Sequence, residues 1–491
     1  MTSPLAVIIL AAGQGTRMRS ALPKVLHRIG GRPLLGHVLA TAQALAPETL
    51  VVVHGHGADA VRAAFPQPEI RWVLQAEQLG TGHAVAAALP EIGAGIGGDP
   101  LCLILYGDVP LLTVETLRRL LVAAGPSGYA ILTARLSDPR GYGRILRDNP
   151  DRIPAGEIPA GQIPSGEIPA GQIPASQIPA GQPLGIVEEK DASPEQRRID
   201  EVNTGILVVA ARHLRALLPE VGNANQAKEY YLTDLVGLAR ARGIEIATVL
   251  AASPEEIAGV NDRAQLAALE RAYQRGRAAA LMAAGVTLMD PARLDCRGEV
   301  VPAPDCVIDV DCVLEGRVVL GAGAHIGPFC HLRDVELGPG VVIASHTVME
   351  GAVAEAGAHI GPYARIRPGT RLAEGARIGN FVEVKQSEIG AGSKVNHLSY
   401  IGDTEIGRGV NIGAGTITCN YDGAHKHRTV IGDHVFIGSD TQLVAPVRVG
   451  EGATVGAGTT VTKDVPPGAL AISRSPQREI AGWRRPTKKK D

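Results

Sequence analysis

From Ile308 to Val461 an aliphatic side chain returns every six residues, a spacing that few folds accommodate. Of 26 such positions, 23 are Ile, Leu or Val, and 20 of the 25 intervals are six residues long. Four intervals are five residues, and one, from Thr418 to Ile431, is thirteen. An amphipathic helix repeats at about 3.6 residues and a strand at about 2, so neither accounts for the pattern. A short unit with one inward aliphatic marks a parallel β-helix, in which each unit supplies one flat face and one corner. Gly follows the aliphatic at thirteen positions, among them Gly321, Gly327, Gly379 and Gly438, and a tight corner predicts a left-handed φ there. Three faces per coil give roughly nine coils, stacked about 4.8 Å apart. An aromatic content of 3% suits a narrow core of aliphatics and Ala. By itself the array fits either a scaffold or a ligand-binding wall, and such a solenoid needs many units and usually a partner.

The chain before the array reads differently. LAVIIL at 5–10, TLVVVH at 49–54 and LCLILYG at 101–107 are near-continuous apolar runs, as expected for strands covered on both faces. Strand-like and helix-like segments alternate, which predicts an α/β domain of the doubly wound, Rossmann-like kind over 1–261. Asp262 and Gln265 form a capping-box pattern, Leu266, Leu269, Tyr273 and Ala280 share one helical face, and Gly285 is a stop. This assigns 262–285 to a linker helix and 286–491 to the β-helix domain, with 286–307 as an irregular lead-in. Residues 153–182 are six Pro-bearing pentads with one Ile each and no aromatic. Pro at every fifth position removes backbone donors, so the segment is expected to be a surface loop. It would enlarge a hairpin turn between GRILRD at 143–148 and PLGIVEE at 183–189. The tail, 474–491, carries seven Arg and Lys and has a plain reading as a solvated terminus.

A net charge of −2 gives no bulk attraction to nucleic acid. The apolar stretch 5–12 has no Lys or Arg before it and is too short to span a membrane, so it reads as a buried strand. Six scattered Cys without a C-x-x-C pair point to reduced thiols in a cytoplasmic protein, not to a disulfide framework or a zinc site.

Two segments carry chemistry. The first strand runs into L-A-A-G-Q-G-T-R-M at 10–18, where Gly13 and Gly15 leave amides open in a turn ahead of a predicted helix. A P-loop would need Lys after its last Gly, and a dinucleotide fingerprint would need a third Gly where Met18 stands. Arg17 and Lys24 add two cations to the open amides, a combination suited to a triphosphate. Asp108 ends the LCLILYG strand, where open α/β sheets bind ligands; it reads either as a turn residue or as one oxygen ligand of Mg²⁺. In the hexad domain, Arg367, Lys385, His397, Tyr400, Asn411, Asn420 and Tyr421 fall on about three coils. Arg367 and Lys385 should stack, which is unfavourable unless an anion lies between them. His397 reads as a surface histidine or, beside a phosphate site, as a general base near neutral pH.

L-A-A-G-x-G-T-R-M, L-P-K, Y-G-D-V-P-L, R-P-G, E-V-K and N-H-L-S-Y, in this order, resemble the bacterial bifunctional UDP-N-acetylglucosamine pyrophosphorylase / glucosamine-1-phosphate N-acetyltransferase family. The resemblance covers nearly the whole chain except the pentads. It implies a nucleotidyltransferase domain followed by a left-handed parallel β-helix of hexapeptide repeats. It implies that Leu10, Ala12, Gly13, Gln75, Gly80 and Thr81 hold the uridine nucleotide, and that Arg17 and Lys24 bind the triphosphate. Gly143, Glu188, Asn203 and Tyr106 would line the sugar, and Asp108 and Asn261 would hold Mg²⁺, although Asn261 also reads as a helix cap. Arg367, Lys385, Tyr400 and Asn411 would bind the acetyl acceptor, with His397 as base and Glu383 either orienting it or holding it protonated afterwards. Acetyl-CoA would lie along Ala414, Asn420, Tyr421, Ser439, Ala457 and Arg474. The implied partners are small-molecule substrates, UTP and acetyl-CoA among them, and two further copies of the chain in a homotrimer. Two rivals remain at this point: a nucleotidyltransferase whose β-helix only regulates or assembles, and a non-catalytic scaffold.

Overall fold

The computed structural model describes residues 4–55, 57–92, 98–147 and 181–486. The chain divides into two compact units, Met1–Tyr273 and Gln274–Asp491.

Among the described residues the first unit holds a nine-stranded sheet. Its strands are β1 (Leu5–Ala11), β2 (Thr49–His54), β3 (Ile70–Leu74), β4 (Leu101–Tyr106), β5 (Tyr129–Arg135), β6 (Arg144–Arg147), β7 (Pro183–Val187), β8 (Glu201–Ala210) and β9 (Ala247–Leu250). The order is β9-β5-β8-β4-β1-β2-β3, with β6 on β8 and β7 on β6. β4, β1, β2 and β3 are parallel, whereas β8 runs antiparallel between β4 and β5. Both faces of β1 are buried: Val7 and Ile9 pack with Leu35, Val38 and Leu117, and Ala6 and Ile8 with Val85, Leu214 and Leu235. That two-sided burial is why β1, β2 and β4 read as unbroken apolar runs. Residues 153–180 of the pentad segment lie outside the described residues. Its flanking strands pair antiparallel, Ile145 opposite Ile186 and Arg147 opposite Pro183, as the expected hairpin requires.

A helix spans Arg263–Ala283, and Asp262 caps it by accepting the Gln265 amide at 2.8 Å. Leu269 packs in the first unit's core with Met18, Ile29 and Val260. Beyond Tyr273 the buried positions change: Gln274, Ala278 and Leu281 are covered, whereas Ala280 is exposed and does not continue the predicted face. From Gln274 onward the helix packs within the second unit, so a different stripe is buried there.

The second unit is a parallel β-helix. One face is an eleven-stranded sheet, from Thr287–Leu288 to Leu470–Ala471, and the other two faces form a sixteen-stranded sheet. The hexad marks account for nine first-face strands; the array continues by one strand at each end. The expected irregular lead-in at 286–307 is in fact a coil: Thr287–Leu288 pairs with Val307–Ile308, and Leu294–Pro302 pairs in register with Cys312–Leu320. Its inward positions are Leu288, Cys296 and Pro302, paired with Ile308, Leu314 and Leu320, so Cys and Pro hide the period. All six cysteines are free thiols, and four of them, Cys296, Cys306, Cys312 and Cys330, take aliphatic places in this core. No helix among the described residues is long and apolar enough to cross a membrane.

Of the thirteen corner glycines, only Gly361, with φ 97°, has the expected positive φ. Gly321, Gly379 and Gly438 do not have left-handed φ; that conformation belongs to glycines such as Gly323, Gly340 and Gly392. A Cβ on Gly379 would lie 2.0 Å from the Asn396 carbonyl oxygen, and one on Gly438 would lie 2.4 Å from the Ala457 nitrogen. These positions need Gly because the next coil passes too close for a side chain. At the corner that follows the first face, where Gly379 stands, Phe329, His346, Tyr363 and Phe381 stack their rings at 4.9, 4.7 and 5.3 Å, with Leu398 next in the column.

Candidate active sites

In the first unit, a cleft of about 230 Å³ opens at the carboxyl ends of β1 and β4. Leu10, Ala12, Gly13, Lys24, Gln75, Gly80, Thr81, Tyr106 and Asp108 line it together. The Gly-rich turn leads only into a single 3₁₀ turn, Thr16–Met18, instead of the predicted helix. A phosphate at this turn would meet open amides and cations, without a helix dipole. Gly15 has φ 63°, and a Cβ there would sit 2.7 Å from Lys24 Cβ, so this Gly lets the lysine stem cross the turn. Lys24 Nζ donates to Asp108 Oδ2 at 2.5 Å and to Asn261 Oδ1 at 3.3 Å. Arg17 is solvent-exposed and outside the cleft lining.

With Asp262 as the cap, the Asn261 side chain is free to face Lys24. Two protein oxygens, one of them anionic, thus converge on a point already occupied by an ammonium. That donor set fits Mg²⁺, which takes few protein oxygens and fills its shell with phosphate and water. Gln75 is buried and donates Nε2 to the Gly80 carbonyl at 3.1 Å, which turns its oxygen toward acceptance. Gly80, with φ 111°, is clamped: a Cβ would meet the Tyr230 oxygen at 2.6 Å, and the Leu232 amide donates to Thr81 Oγ1 at 3.1 Å.

The sugar-assigned residues gather next to this cleft. The Asn203 amide donates to the Gly143 carbonyl at 2.8 Å, and a Cβ on Gly143 would reach both Glu188 oxygens at 3.4 Å. Glu188 accepts from Thr233 Oγ1 at 3.0 Å, and burial, followed by the charge of Asp234, pushes its carboxyl pKa up. Tyr106 connects the two groups, because its ring packs on Gly205, whose amide donates to Asn203 Oδ1 at 3.1 Å. Gln78 and Glu229 also line the cleft, and no sequence motif singles them out; Gln78 accepts from Gln14 Nε2 at 2.8 Å. The L-G-T run that follows Gln78 in the sequence is its only signal.

In the second unit, Asn380, His397, Ala414, Ser439 and Ala457 each stand two residues after paired first-face positions, Ile378, Val395, Ile412, Ile437 and Val455. They form one column along a corner, and Arg474 closes it by donating Nε to the Ala457 carbonyl at 2.8 Å. The histidine and the small residues assigned to acetyl-CoA thus share a single line. His397 is exposed, and its Nδ1 lies 3.0 Å from Asn380 Oδ1. A carboxamide oxygen only accepts, so Nδ1 must carry the proton and Nε2 is left as the basic nitrogen.

Glu383 does not take the orienting part expected of it. Its Oε1 accepts from Arg367 Nη1 at 2.7 Å, so the carboxylate is engaged by the guanidinium while Asn380 holds the histidine. Arg367 and Lys385 are stacked as predicted, since Ile366 pairs with Val384 one position earlier. Lys426 joins them, although in the sequence it lies beyond the break in the hexads and nothing there marks it. Its ammonium beside Lys385 is the main cause of a lowered Lys385 pKa, with desolvation adding to it. Tyr400 follows on the same face, opposite Glu383, whereas Asn411 lies on the first face opposite Lys394. The thirteen-residue interval from Thr418 to Ile431 suggests that Asn420 and Tyr421 both leave the stack, but Asn420 is 6% exposed and only Tyr421, at 62%, projects from it.

The sequence matches the MobA-like NTP transferase domain model over residues 7–231 and the bacterial transferase hexapeptide (six repeats) model over 428–463. The bifunctional protein GlmU of Alkalilimnicola ehrlichii is 54% identical over 491 residues, covering 100% of this chain and 98% of the relative. That of Aromatoleum aromaticum is 54% identical, covering 99% of each chain. That of Methylococcus capsulatus is 53% identical, covering 98% of this chain and 97% of its own. Each match spans both units, and the chain belongs to the bifunctional GlmU family, the one its motifs resemble.

Proposed function

We infer that this chain is a bifunctional enzyme with two chemically independent centres. It N-acetylates glucosamine-1-phosphate from acetyl-CoA, then transfers a uridylyl group from UTP to N-acetylglucosamine-1-phosphate, releasing pyrophosphate. The observation that carries the reading is the pairing of a Lys24–Asp108–Asn261 cluster in one unit with a His397 corner column in the other.

In acetyl transfer, Arg367, Lys385 and Lys426 hold the sugar phosphate. The amine attacks the thioester carbonyl, His397 Nε2 takes its proton, and the carbon–sulfur bond breaks to release CoA. The small residues Ala414, Ser439 and Ala457 leave room for the pantetheine arm, and Arg474 faces the CoA phosphates. Asn411 and Tyr421 stand at the margins of this line.

In uridylyl transfer, an oxygen of the sugar phosphate attacks the α-phosphorus and the bond to pyrophosphate breaks. The nucleophile is already an anion, so no general base is required. Lys24 and Arg17 neutralise the triphosphate, and Gln75, Gly80 and Thr81 orient the uracil. Gly143, Glu188, Asn203 and Tyr106 position the sugar. Mg²⁺ held by Asp108 and Asn261 would supply charge neutralisation at the phosphates when bound.

The assembly is a homotrimer in this reading. Support comes from the exposed ladder beside His397, where Phe329, Tyr363, Phe381 and Leu398 remain 48, 49, 57 and 62% exposed in the single chain. Six reduced thiols and the use of acetyl-CoA and UTP support a cytoplasmic setting. Domain limits of 1–261, 262–285 and 286–491 place one activity on either side of the connecting helix.

The test is incubation with glucosamine-1-phosphate, acetyl-CoA, UTP and Mg²⁺, following thiol and pyrophosphate separately. Both should appear, with pyrophosphate dependent on prior acetylation. Thiol without pyrophosphate, or the reverse, refutes bifunctionality. Two variants refine it. Lys426→Ala should raise the KM for glucosamine-1-phosphate about tenfold at neutral pH. It also removes the cation that lowers the Lys385 pKa, so Lys385 keeps its proton to higher pH. The alkaline rise in KM should therefore begin at higher pH than in the unaltered protein; an unmoved limb separates Lys426 from Lys385. Deleting 153–182 joins two strands that already pair, and both activities should stay within about threefold. A collapse of pyrophosphate release would give the pentads a role at the sugar site.

A further inference from the structure

Asp403 has no part in the mechanism above, yet its side chain holds Asn420, next to Tyr400 and Lys385. It lies just past the second face at a corner, with φ 50°. Its backbone is pinned on both sides: its amide donates to the Lys385 carbonyl at 3.0 Å, and its carbonyl accepts from the Thr429 amide at 3.3 Å. Its Oδ2 accepts from Asn420 Nδ2 at 2.5 Å. The same Nδ2 lies 3.5 Å from Tyr400 Oη. Gly402 makes the meeting possible, because a Cβ there would be 2.5 Å from Tyr400 Oη and 2.7 Å from Asn420 Nδ2.

The geometry has a chemical consequence. A carboxylate only accepts, so Asn420 must present its NH₂ to Asp403 and cannot flip. Its two N–H groups are directed at Asp403 and Tyr400, which leaves Oδ1 as the side chain's free function. The Asn420 backbone is also held, donating to the Thr418 carbonyl at 2.9 Å and accepting from the His427 amide at 2.8 Å. A fixed acceptor oxygen next to the Arg367, Lys385 and Lys426 group suits an amine donor on a phosphorylated sugar.

We propose that Asp403 is a positioning residue for acetyl transfer, locking the Asn420 carboxamide so that its Oδ1 receives the N–H of the acceptor amine. The proposal rests on the acetyl-transfer reading. The carboxylate also faces Lys385 and partly offsets the repulsion from Lys426. Asp403 thereby links the residues that bind the phosphate to the residue that faces the amine.

Asp403→Asn tests this because it is nearly isosteric and can still accept a hydrogen bond, yet it permits both carboxamides to rotate. The expected result is a fall in kcat for acetyl transfer of about 10–100-fold. Pyrophosphate release from N-acetylglucosamine-1-phosphate and UTP, and the thermal unfolding midpoint, should not move. The exchange D403N with N420D re-creates one acceptor-only partner and should recover at least about tenfold of that loss. Unchanged acetyl transfer in D403N overturns the proposal. So does a loss that tracks a lowered unfolding midpoint, or a failure of the exchange to recover activity. Absence of thiol release from the unaltered protein would instead remove the acetyl-transfer reading itself, and the proposal with it.

Discussion

Replacing His397 with alanine is expected to lower acetyl transfer about 10²–10⁴-fold while pyrophosphate release from N-acetylglucosamine-1-phosphate and UTP continues unchanged. The magnitude follows from the only base in the corner column that is both exposed and oriented. Asn380 Oδ1 at 3.0 Å fixes the proton on Nδ1, and Nε2 is left to accept one. No other side chain in the column, Asn380, Ala414, Ser439 or Ala457, is basic. Alanine leaves the inward side of the strand untouched, because Val395, not His397, packs in the core. Binding should therefore survive: the KM values for acetyl-CoA and glucosamine-1-phosphate should change by no more than about threefold. The measurement is thiol release and pyrophosphate release in parallel assays. Equal loss of both would refute two independent centres. Asn380→Ala should give a milder fall, of about tenfold, because it frees the tautomer without removing the base.

The second large effect is expected at Asp108. Asp108→Ala should lower pyrophosphate release at least about 10²-fold with thiol release intact. Asp108 supplies the only charged oxygen of the pair that converges on Lys24, the other being the neutral amide of Asn261. Removing it leaves Asn261 alone to hold a divalent cation, and it leaves the half-buried Lys24 ammonium without its counter-charge. Lys24 can still meet a phosphate, so UTP should bind while turnover fails. Asp108→Asn keeps an oxygen but not the charge, and higher Mg²⁺ should restore part of its activity. A Mg²⁺ titration of pyrophosphate release separates these cases. Mg²⁺-dependent product formation at the unaltered rate would take Asp108 out of the site.

Much of the architecture is legible in the amino-acid sequence. The α/β unit is readable because β1, β2 and β4 are buried on both faces and so consist almost entirely of apolar residues. The solenoid is readable because its inward column recurs at a period no helix or simple strand uses. Where the sequence misleads, the cause is local chemistry. Cys296 and Pro302 occupy inward places in the first coil, so a pattern of Ile, Leu and Val passes over it. Gly379 and Gly438 look like sites of a backbone twist but serve the close passage of the neighbouring coil, which no local pattern reports. Ala280 continues the helical stripe of Leu266 and Leu269, yet the helix changes its buried face at Gln274.

The active centres divide in the same way. Lys24 and Asp108 stand in short motifs; Asp108 and Gln75 follow strand ends, whereas Lys24 begins a 3₁₀ turn and Thr81 a helix, and all four line one cleft. Asn380, Lys426 and Asp403 have no such motif, and they act on residues 17, 41 and 17 positions away: His397, Lys385 and Asn420. By itself the sequence determined the two folds, the two chemistries and the residues that carry charge into each site. Only the tertiary structure decided who orients whom: Asn380, not Glu383, holds the histidine, Arg367 takes Glu383, and Asp403 folds Asn420 back onto the coil. The reason is physical. A repeat fixes whether a side chain points in or out within its own unit, but partners across coils depend on accumulated coil lengths and on competition among neighbouring donors and acceptors.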